Sequence, residues 1–431
     1  MAAPLERLRR DARTIYDAAL ASVEPGKALR RILAAAPPPE GVAIIAIGKA
    51  ARSMAHAAAE HLAALEIPLR TGIVVASDPG EPVGHHLLEI IGDHPLPGER
   101  SRDAAEAVAT TARDVGAHDE AWVLLSGGAS SLVGAPVDDI PDGEYRTLMA
   151  DLFRAGLPIG ELNAARKRFS RFGGGRLLAA LAADRVRVFA LSDVIGDDPA
   201  DIGSGPCEPD PQTAAEVRRR LRAADIALPP GIDAWLATVE QGGRPETPKP
   251  SDPVFARCTT RIVGSNQTAL GEAAAAARSL GYRAVVIPTP VAGPAAAAGR
   301  HLAAALLATP FESGPVALLA GGECTVRLDA DAGLGGRCQE AALAAAEVLS
   351  QSSERNAVLL AAGTDGRDGP TDAAGALVDS TTWSAIVDQG GAPATSLARH
   401  DSHRALALAK ALVVTGPTGT NVMDLMIGLV D

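Results

Sequence analysis

Residues 42–54 read VAIIAIGKAARSM. An unbroken apolar run rich in β-branched residues, closed by Gly48 and followed by small helix-forming residues, predicts a strand buried on both faces that hands over directly to a helix. The same pattern returns in GIVVAS (72–77), AWVLLSGG (121–128), VRVFALSD (186–193), RIVGSN (261–266), YRAVVIP (282–288), VALLAGG (316–322) and AVLLAAGTDG (357–366). Strands of this kind, alternating with Ala/Leu/Arg-rich helical stretches, define an α/β chain with a mainly parallel sheet. Between the two groups of strands lies EQGGRPETPKPSDP (240–253), rich in Pro and Gly, which reads as a linker. It divides the chain into domains of residues 1–250 and 251–431. No solenoid period or heptad array is visible, and the abundant alanine reads as compositional rather than structural.

Composition narrows the function. Across 431 residues, 40 basic side chains face 52 acidic ones, a net charge of −12. Nucleic-acid binding rests on clustered cations, so this balance argues against it. Aromatics make up only 3% of the chain, too few for base-stacking platforms. Cys207, Cys258, Cys324 and Cys338 have neither CxxC spacing nor the density of a disulfide framework, and read as reduced thiols. The N-terminus MAAPLERLRRDAR has no apolar signal region, and no run of about 18 apolar residues occurs, so the expectation is a soluble cytoplasmic protein without a membrane partner. Only Lys27, Lys49, Lys167, Lys249 and Lys410 are lysines, which makes a lysine inside a loop motif notable.

In open α/β sheets ligands collect beyond the carboxyl ends of the strands, and the unusual residues of this chain cluster there. Lys49 stands at a strand-to-helix turn, beside the positive end of a helix dipole where anions bind. The loop is not a Walker A motif, because Ala43 and Ala50 replace the required glycine and hydroxyl residue. LLSGGASSLVGAP (124–136) supplies Ser126, Gly127, Gly128, Ser130 and Ser131, a pattern suited to phosphate or carboxylate but also to a tight capped turn. LNAARKRFSRFGGGRLLAAL (162–181) gathers Asn163, Arg166, Lys167, Arg168, Arg171 and Arg176. Asn163, Arg166 and Lys167 share one helical face and could clamp an anion, or form a solvated charged surface. LSDVIGDDPADIGSGP (191–206) places Asp193 at a strand end, with Asp197, Asp198, Asp201 and Ser204 following. Such carboxylates suit Mg²⁺, or a general base toward a substrate hydroxyl. The second half adds Gly322 and Glu323, then Arg337 opening a helix, then Asp365, Asp368 and Asp372, whose spacing does not fit an EF-hand, and finally Thr418, Thr420, Asn421 and Asp424. His94, in GDHPLPGERS, is the one histidine in a site-like loop, with a structural role at least as natural.

Together these segments resemble the glycerate 2-kinase family, two-domain kinases whose C-terminal part is called the MOFRL domain. The likeness runs in order through AIGKAARSM, GDHPLPGERS, LLSGGASSL, LNAARKRFSRFGGGRL, LSDVIGDDPADIGSGPCEPDPQT, VGSNQTAL, GGECTVRL, GLGGRCQEAAL, GTDGRDGPTDAAGA, HDSHRA and TGPTGTNVMDL. It implies a Rossmann-like three-layer N-terminal domain, a second α/β domain and an active site in the cleft between them. It further implies transfer of the γ-phosphoryl of ATP to the C2 hydroxyl of D-glycerate, with Mg²⁺. Lys49, Asp193 and Arg337 are the matching catalytic positions, and an arginine fork from Arg337 or Arg166 would grip the glycerate carboxylate. Ser126, Gly127, Gly128, Ser130, Ser131, Asn163, Arg166, Lys167, Ser204, Gly322, Glu323 and Asn421 are candidates for substrate or phosphate, and Asp193, Asp197 and Asp365 for metal. D-glycerate and ATP are the expected partners, with a homodimer left open. The chain departs from the family pattern at Gly173, Cys324, Cys338 and Met423, where lysine, threonine, asparagine and asparagine are usual. Three alternatives stand: an NAD(P)H-dependent hydroxypyruvate reductase, a kinase for a related short hydroxy acid, and a phosphosugar-binding module. The reductase lacks a G-x-G-x-x-G fingerprint, since GLGGRC (333–338) ends in Cys338.

Overall fold

The computed structural model describes residues 2–35, 39–84, 86–155, 159–310, 314–329, 331–352 and 355–431. It divides into two compact units, one of Pro25–Val263 and one of Met1–Glu24 with Gly264–Asp431.

The first unit is built on a six-stranded sheet in the order β3-β2-β1-β4-β5-β6, with β1 Val42–Ile47, β2 Leu69–Ala76, β3 Leu88–Ile91, β4 Glu120–Leu125, β5 Arg185–Leu191 and β6 Cys258–Gly264. β1 to β5 pair in parallel, and every residue of β1 and β4 is buried, as their continuous apolar sequences require. Ile47 pairs with Leu125 and Leu125 with Ala190, so the loops leaving β1, β4 and β5 emerge side by side. Ala104, Val108, Leu132 and Leu177 join the inward strand residues in one core, and a second core forms around Tyr145, Phe169 and Trp235.

The second unit holds a sheet of order β11-β10-β9-β12-β8-β7, with β7 Arg283–Val286, β8 Val316–Gly322, β9 Ala357–Gly363, β10 Gly375–Asp379, β11 Leu412–Val413 and β12 Asp424–Val430. β7 and β8 are parallel, whereas β12 runs antiparallel to both β8 and β9, and β10 antiparallel to β9 and β11. The mainly parallel expectation therefore holds for the first sheet and fails for the second. β12 was hidden because its DLMIGLV follows a Gly/Thr-rich loop and is the last strand in the chain. RIVGSN, grouped with the C-terminal strands, belongs instead to β6 on the edge of the first sheet.

The predicted 240–253 linker is part of the first unit. Thr247 is buried and donates to Asp210, Glu246 accepts from the Ala214 N–H, and Lys249 donates to the Asp210 carbonyl. The units divide at Val263/Gly264 rather than near 250, and the Ala2–Ser22 helix joins the second unit. Tyr16 donates to the Gly363 carbonyl, Arg9 pairs with Asp379, and Tyr282 donates to Asp11.

Alanine proves structural. The Ala295–Leu307 and Arg337–Leu349 helices pack so closely that a Cβ on Gly299 would lie 2.6 Å from the Ala341 carbonyl carbon. Ala341, Ala342, Ala344, Ala345 and Ala346 are all fully buried. Among the described residues no helix is long and apolar enough to cross a membrane.

Candidate active site

In the first unit the exits of β1, β4 and β5 build one loop cluster. Gly48 (φ 134) turns the chain from β1 toward the Ala51–Ala64 helix, and a Cβ there would lie 2.6 Å from the Ser126 carbonyl oxygen. The Lys49 N–H donates to the Gly127 carbonyl (2.9 Å), and the Ala50 N–H to Ser126 Oγ (2.9 Å). Ser126, expected to hold phosphate, thus fastens two strand exits together. Lys49 itself is exposed, and among the described residues it pairs with no carboxylate.

Gly128 (φ 86) adopts the left-handed conformation and starts the short Ala129–Leu132 helix. Among the described residues, the backbone N–H groups of Gly127, Gly128, Ala129 and Ser130 make no hydrogen bond of good geometry, which leaves four donors side by side along the loop. A Cβ on Gly127 would collide with the Asp193 carboxylate, its Cγ 2.7 Å away, and one on Gly128 would lie 3.6 Å from Lys49 Cγ. Lys49, the two glycines and Asp193 are therefore neighbours. Burial raises the Asp193 carboxyl above its ordinary pKa, while the Lys49 charge pulls the other way.

The serine hydroxyls are largely committed. Ser131 donates to the Pro95 carbonyl (2.6 Å), and Ser130 shares a hydrogen bond with Ser204 (2.7 Å). Ser204 is buried at φ 64, between Gly203 (φ 58) and Gly205 (φ 57), an unusual left-handed conformation for a residue with a Cβ. The Ser204 carbonyl also accepts the Gly174 N–H, which ties this loop to the Gly173–Gly175 turn.

The basic cluster separates into two kinds of residue. Asn163 and Arg166 lie on the Ile159–Phe169 helix, Asn163 buried and Arg166 beside Ser130, Ser131 and Tyr145. Arg166 has no carboxylate partner among the described residues, and burial lowers its pKa. Lys167, by contrast, pairs with Asp201 at 2.9 Å. Arg168 is fully buried against Asp210, Glu246 and the Gln212 carbonyl, and Arg176 donates to the carbonyls of Lys167, Arg168 and Ser170. Arg168 and Arg176 are thus scaffold, and of this cluster Arg166 remains available to an anion.

In the second unit Arg337 opens its helix with both arms engaged. Its Nε and Nη2 donate to Asp424 (2.6 and 2.9 Å), and Nη1 meets Glu323 at 2.9 Å. Arg337, expected as an open fork for a substrate carboxylate, is thus already paired, and Asp424 is the partner that the sequence did not disclose. That aspartate begins β12 and is 1% exposed. Cys338 follows Arg337, buried, with its thiol pushed up by burial and by Asp424. Asp368 accepts the N–H groups of Cys338 and Gln339 (3.0 and 2.8 Å), fixing the helix start, and its burial pushes it up to about 6. Asn266 donates to the carbonyls of Val422 and Asp424. Gly322 (φ 144) is approached by Val291, and the Glu323 N–H bonds the Val291 carbonyl. Asn421 accepts the Met423 N–H, and Met423 sits at φ 67, a conformation that an asparagine would adopt more readily.

No three His, Cys, Asp or Glu side chains come together among the described residues as a preformed metal cage. The expected set of Asp193, Asp197 and Asp365 is accordingly not one cage. Asp365 belongs to the second unit, where one oxygen accepts the Arg367 N–H in an Asx turn. Asp193 and Asp197 share the loop after β5, with Asp197 at φ 54 and partly exposed.

Residues 11–237 match a family model described as a domain of unknown function (DUF4147), and residues 316–424 match the MOFRL family. A protein of Thermotoga maritima named D-glycerate 2-kinase is 35% identical over 90% of this chain and 90% of its own length. A protein of Agrobacterium vitis named putative hydroxypyruvate reductase is 37% identical over 96% of this chain and 92% of its own. The crystal structure of glycerate kinase from Thermotoga maritima superimposes with a TM-score of 0.88 at 34% identity, covering 99% of this chain and 100% of that one. Likeness of this extent, running through both units, places the chain in the glycerate 2-kinase family.

Proposed function

We propose that the protein transfers the γ-phosphoryl group of ATP to the C2 hydroxyl of D-glycerate, giving 2-phosphoglycerate. The observation that carries this reading is the cradle of four unpaired N–H groups at Gly127–Ser130, flanked by Lys49 and set against the Asp193 carboxylate. Phosphoryl transfer needs positioning and charge neutralisation more than covalent chemistry. The cradle and Lys49 supply fixed donors for phosphate oxygens, and Arg166 adds a cation without an internal counter-charge. Asp193 orients the attacking hydroxyl and accepts its proton, a role that a raised carboxyl pKa favours. Within the second unit, Arg337 is held by the buried Asp424 and can exchange its more exposed partner Glu323 for another carboxylate.

Mg²⁺ takes few protein carboxylates and keeps waters and phosphate oxygens as its other ligands. Asp197, partly exposed on the loop after β5, fits that habit, which leaves Asp193 to the substrate hydroxyl. When bound with the nucleotide, the ion supplies neutralisation of the phosphate charge.

Phosphorus NMR of the product from ATP, Mg²⁺ and D-glycerate tests the proposal. A new phosphomonoester on C2 is expected. Product on C3, or no transfer together with rapid NADH oxidation by hydroxypyruvate, would overturn it.

Two further outcomes follow from the geometry. Gly127→Ala drives a methyl into the Asp193 carboxylate, and a shift of the order of 1 Å there should lower kcat about 10²-fold. Steady-state kinetics on the folded variant would check this, and wild-type kcat would contradict the placement. The acidic limb of kcat/KM should lie above the ordinary aspartate value of about 3.9, because a proton on Asp193 blocks acceptance of the hydroxyl proton. A limb at or below that value would remove Asp193 as the base.

A further inference from the structure

We propose that His94 contacts the bound phosphate group directly, donating a hydrogen bond from its imidazole to an anion seated on the Gly127–Ser130 cradle. This rests on the reading of that cradle as the phosphate site.

The backbone around His94 is pinned on both sides. Before it, the Asp93 N–H donates to Ser101 Oγ (3.0 Å), and the Asp93 carboxylate accepts the Arg100 N–H (2.9 Å) at the start of the Glu99–Asp114 helix. After it, the Pro95 carbonyl accepts the Ser131 hydroxyl (2.6 Å), from the helix that begins at the cradle. A loop fastened at both neighbours fixes the backbone from which the exposed His94 ring projects. That side chain lies over Gly128, for a Cβ there would be 3.0 Å from His94 Cδ2 and 3.3 Å from Nε2.

The ring has no structural use for its nitrogens. Among the described residues, neither Nδ1 nor Nε2 has a hydrogen-bond partner. An exposed imidazole placed beside four unsatisfied N–H groups, its own polar atoms unspent, fits a ligand contact. The charged groups that face it are Lys49 from the β1 exit, Arg166 from the Ile159–Phe169 helix and Asp78 from the β2 exit. Burial and the two cations lower its pKa, which favours the neutral ring before an anion arrives and leaves it one N–H to donate. Lys49 and Arg166 carry the charge, while His94 adds a directed donor.

His94→Ala should lower kcat/KM for ATP at least tenfold with an unchanged melting temperature, and His94→Gln, which keeps a donor and cannot titrate, should recover most of the loss. Separately, inorganic phosphate added to the wild-type protein should shift the His94 ring nitrogen signals in a ¹⁵N NMR titration, and should not shift them in Lys49→Ala at the same concentrations. Alanine kinetics within twofold of wild type, glutamine no better than alanine, or ring signals indifferent to phosphate would each overturn the proposal. Because the phosphate titration does not depend on turnover, a wild-type protein that binds phosphate at His94 but transfers none to glycerate would sink the kinase reading and leave this contact standing.

Discussion

Asp193→Asn should lower kcat by roughly 10²- to 10⁴-fold while leaving the protein as stable as before or more so. Asparagine keeps the shape of the side chain against Gly127 but cannot accept the hydroxyl proton. The stability sign follows from the raised carboxyl pKa. A carboxyl raised in the folded state binds its proton more tightly there than in the unfolded chain, so the stability it contributes is lost as pH rises through the folded value. A permanently neutral amide removes that loss at neutral pH. Kinetics and urea unfolding on the same preparation would check both halves. Activity within tenfold of wild type would exclude Asp193 from the chemistry, and a collapse of stability would make it a scaffold residue.

The second large effect lies in the scaffold. Arg168→Ala should cost about 3–5 kcal/mol, because it strands Asp210 in the interior without its cation. Asp210 is 1% exposed and, among the described residues, would keep only the Thr247 hydroxyl and the Gln212 N–H as donors to its carboxylate. Glu246 loses this partner as well but keeps Lys249 and the Ala214 N–H, and is better solvated. The double variant Arg168→Met with Asp210→Asn removes both charges and should recover much of the loss, since a well-packed neutral pair in place of a buried ion pair is often near neutral. Urea denaturation of the single and double variants would measure this, and a loss below about 1 kcal/mol for Arg168→Ala would show that the network contributes little.

These two residues also mark what the amino-acid pattern could disclose. Asp193 was legible because an apolar strand ended on it, and strand ends in parallel sheets gather ligands. Lys49, Gly127 and Gly128 were legible for the same reason, and β1, β4 and β5 indeed bring them together. Arg168 looked like its neighbours Arg166 and Lys167, and only tertiary placement separates the buried Asp210 partner from the open cation and from the Asp201 pair. Arg337 was read as free because its partner Asp424 lies 87 positions away, across the pairing of β12 with β8 and β9. Local patterns carry no information about such pairings. The same limit hid β12, the antiparallel character of the second sheet and the return of the Ala2–Ser22 helix to a unit made mostly from the other end of the chain. His94 was undecided from its loop alone, because whether its ring nitrogens were occupied depended on neighbours far along the chain.

The alanine-lined contact between the Ala295–Leu307 and Arg337–Leu349 helices has a thermal consequence. Alanine surrenders no rotamer freedom on folding, so each buried position there opposes folding less than a leucine or methionine would. It also removes less apolar surface from water, and the heat-capacity change of unfolding scales with that surface. This contact should therefore add less to the heat-capacity change of unfolding than a leucine-packed one of the same length, and so flatten the second unit's stability curve by that share.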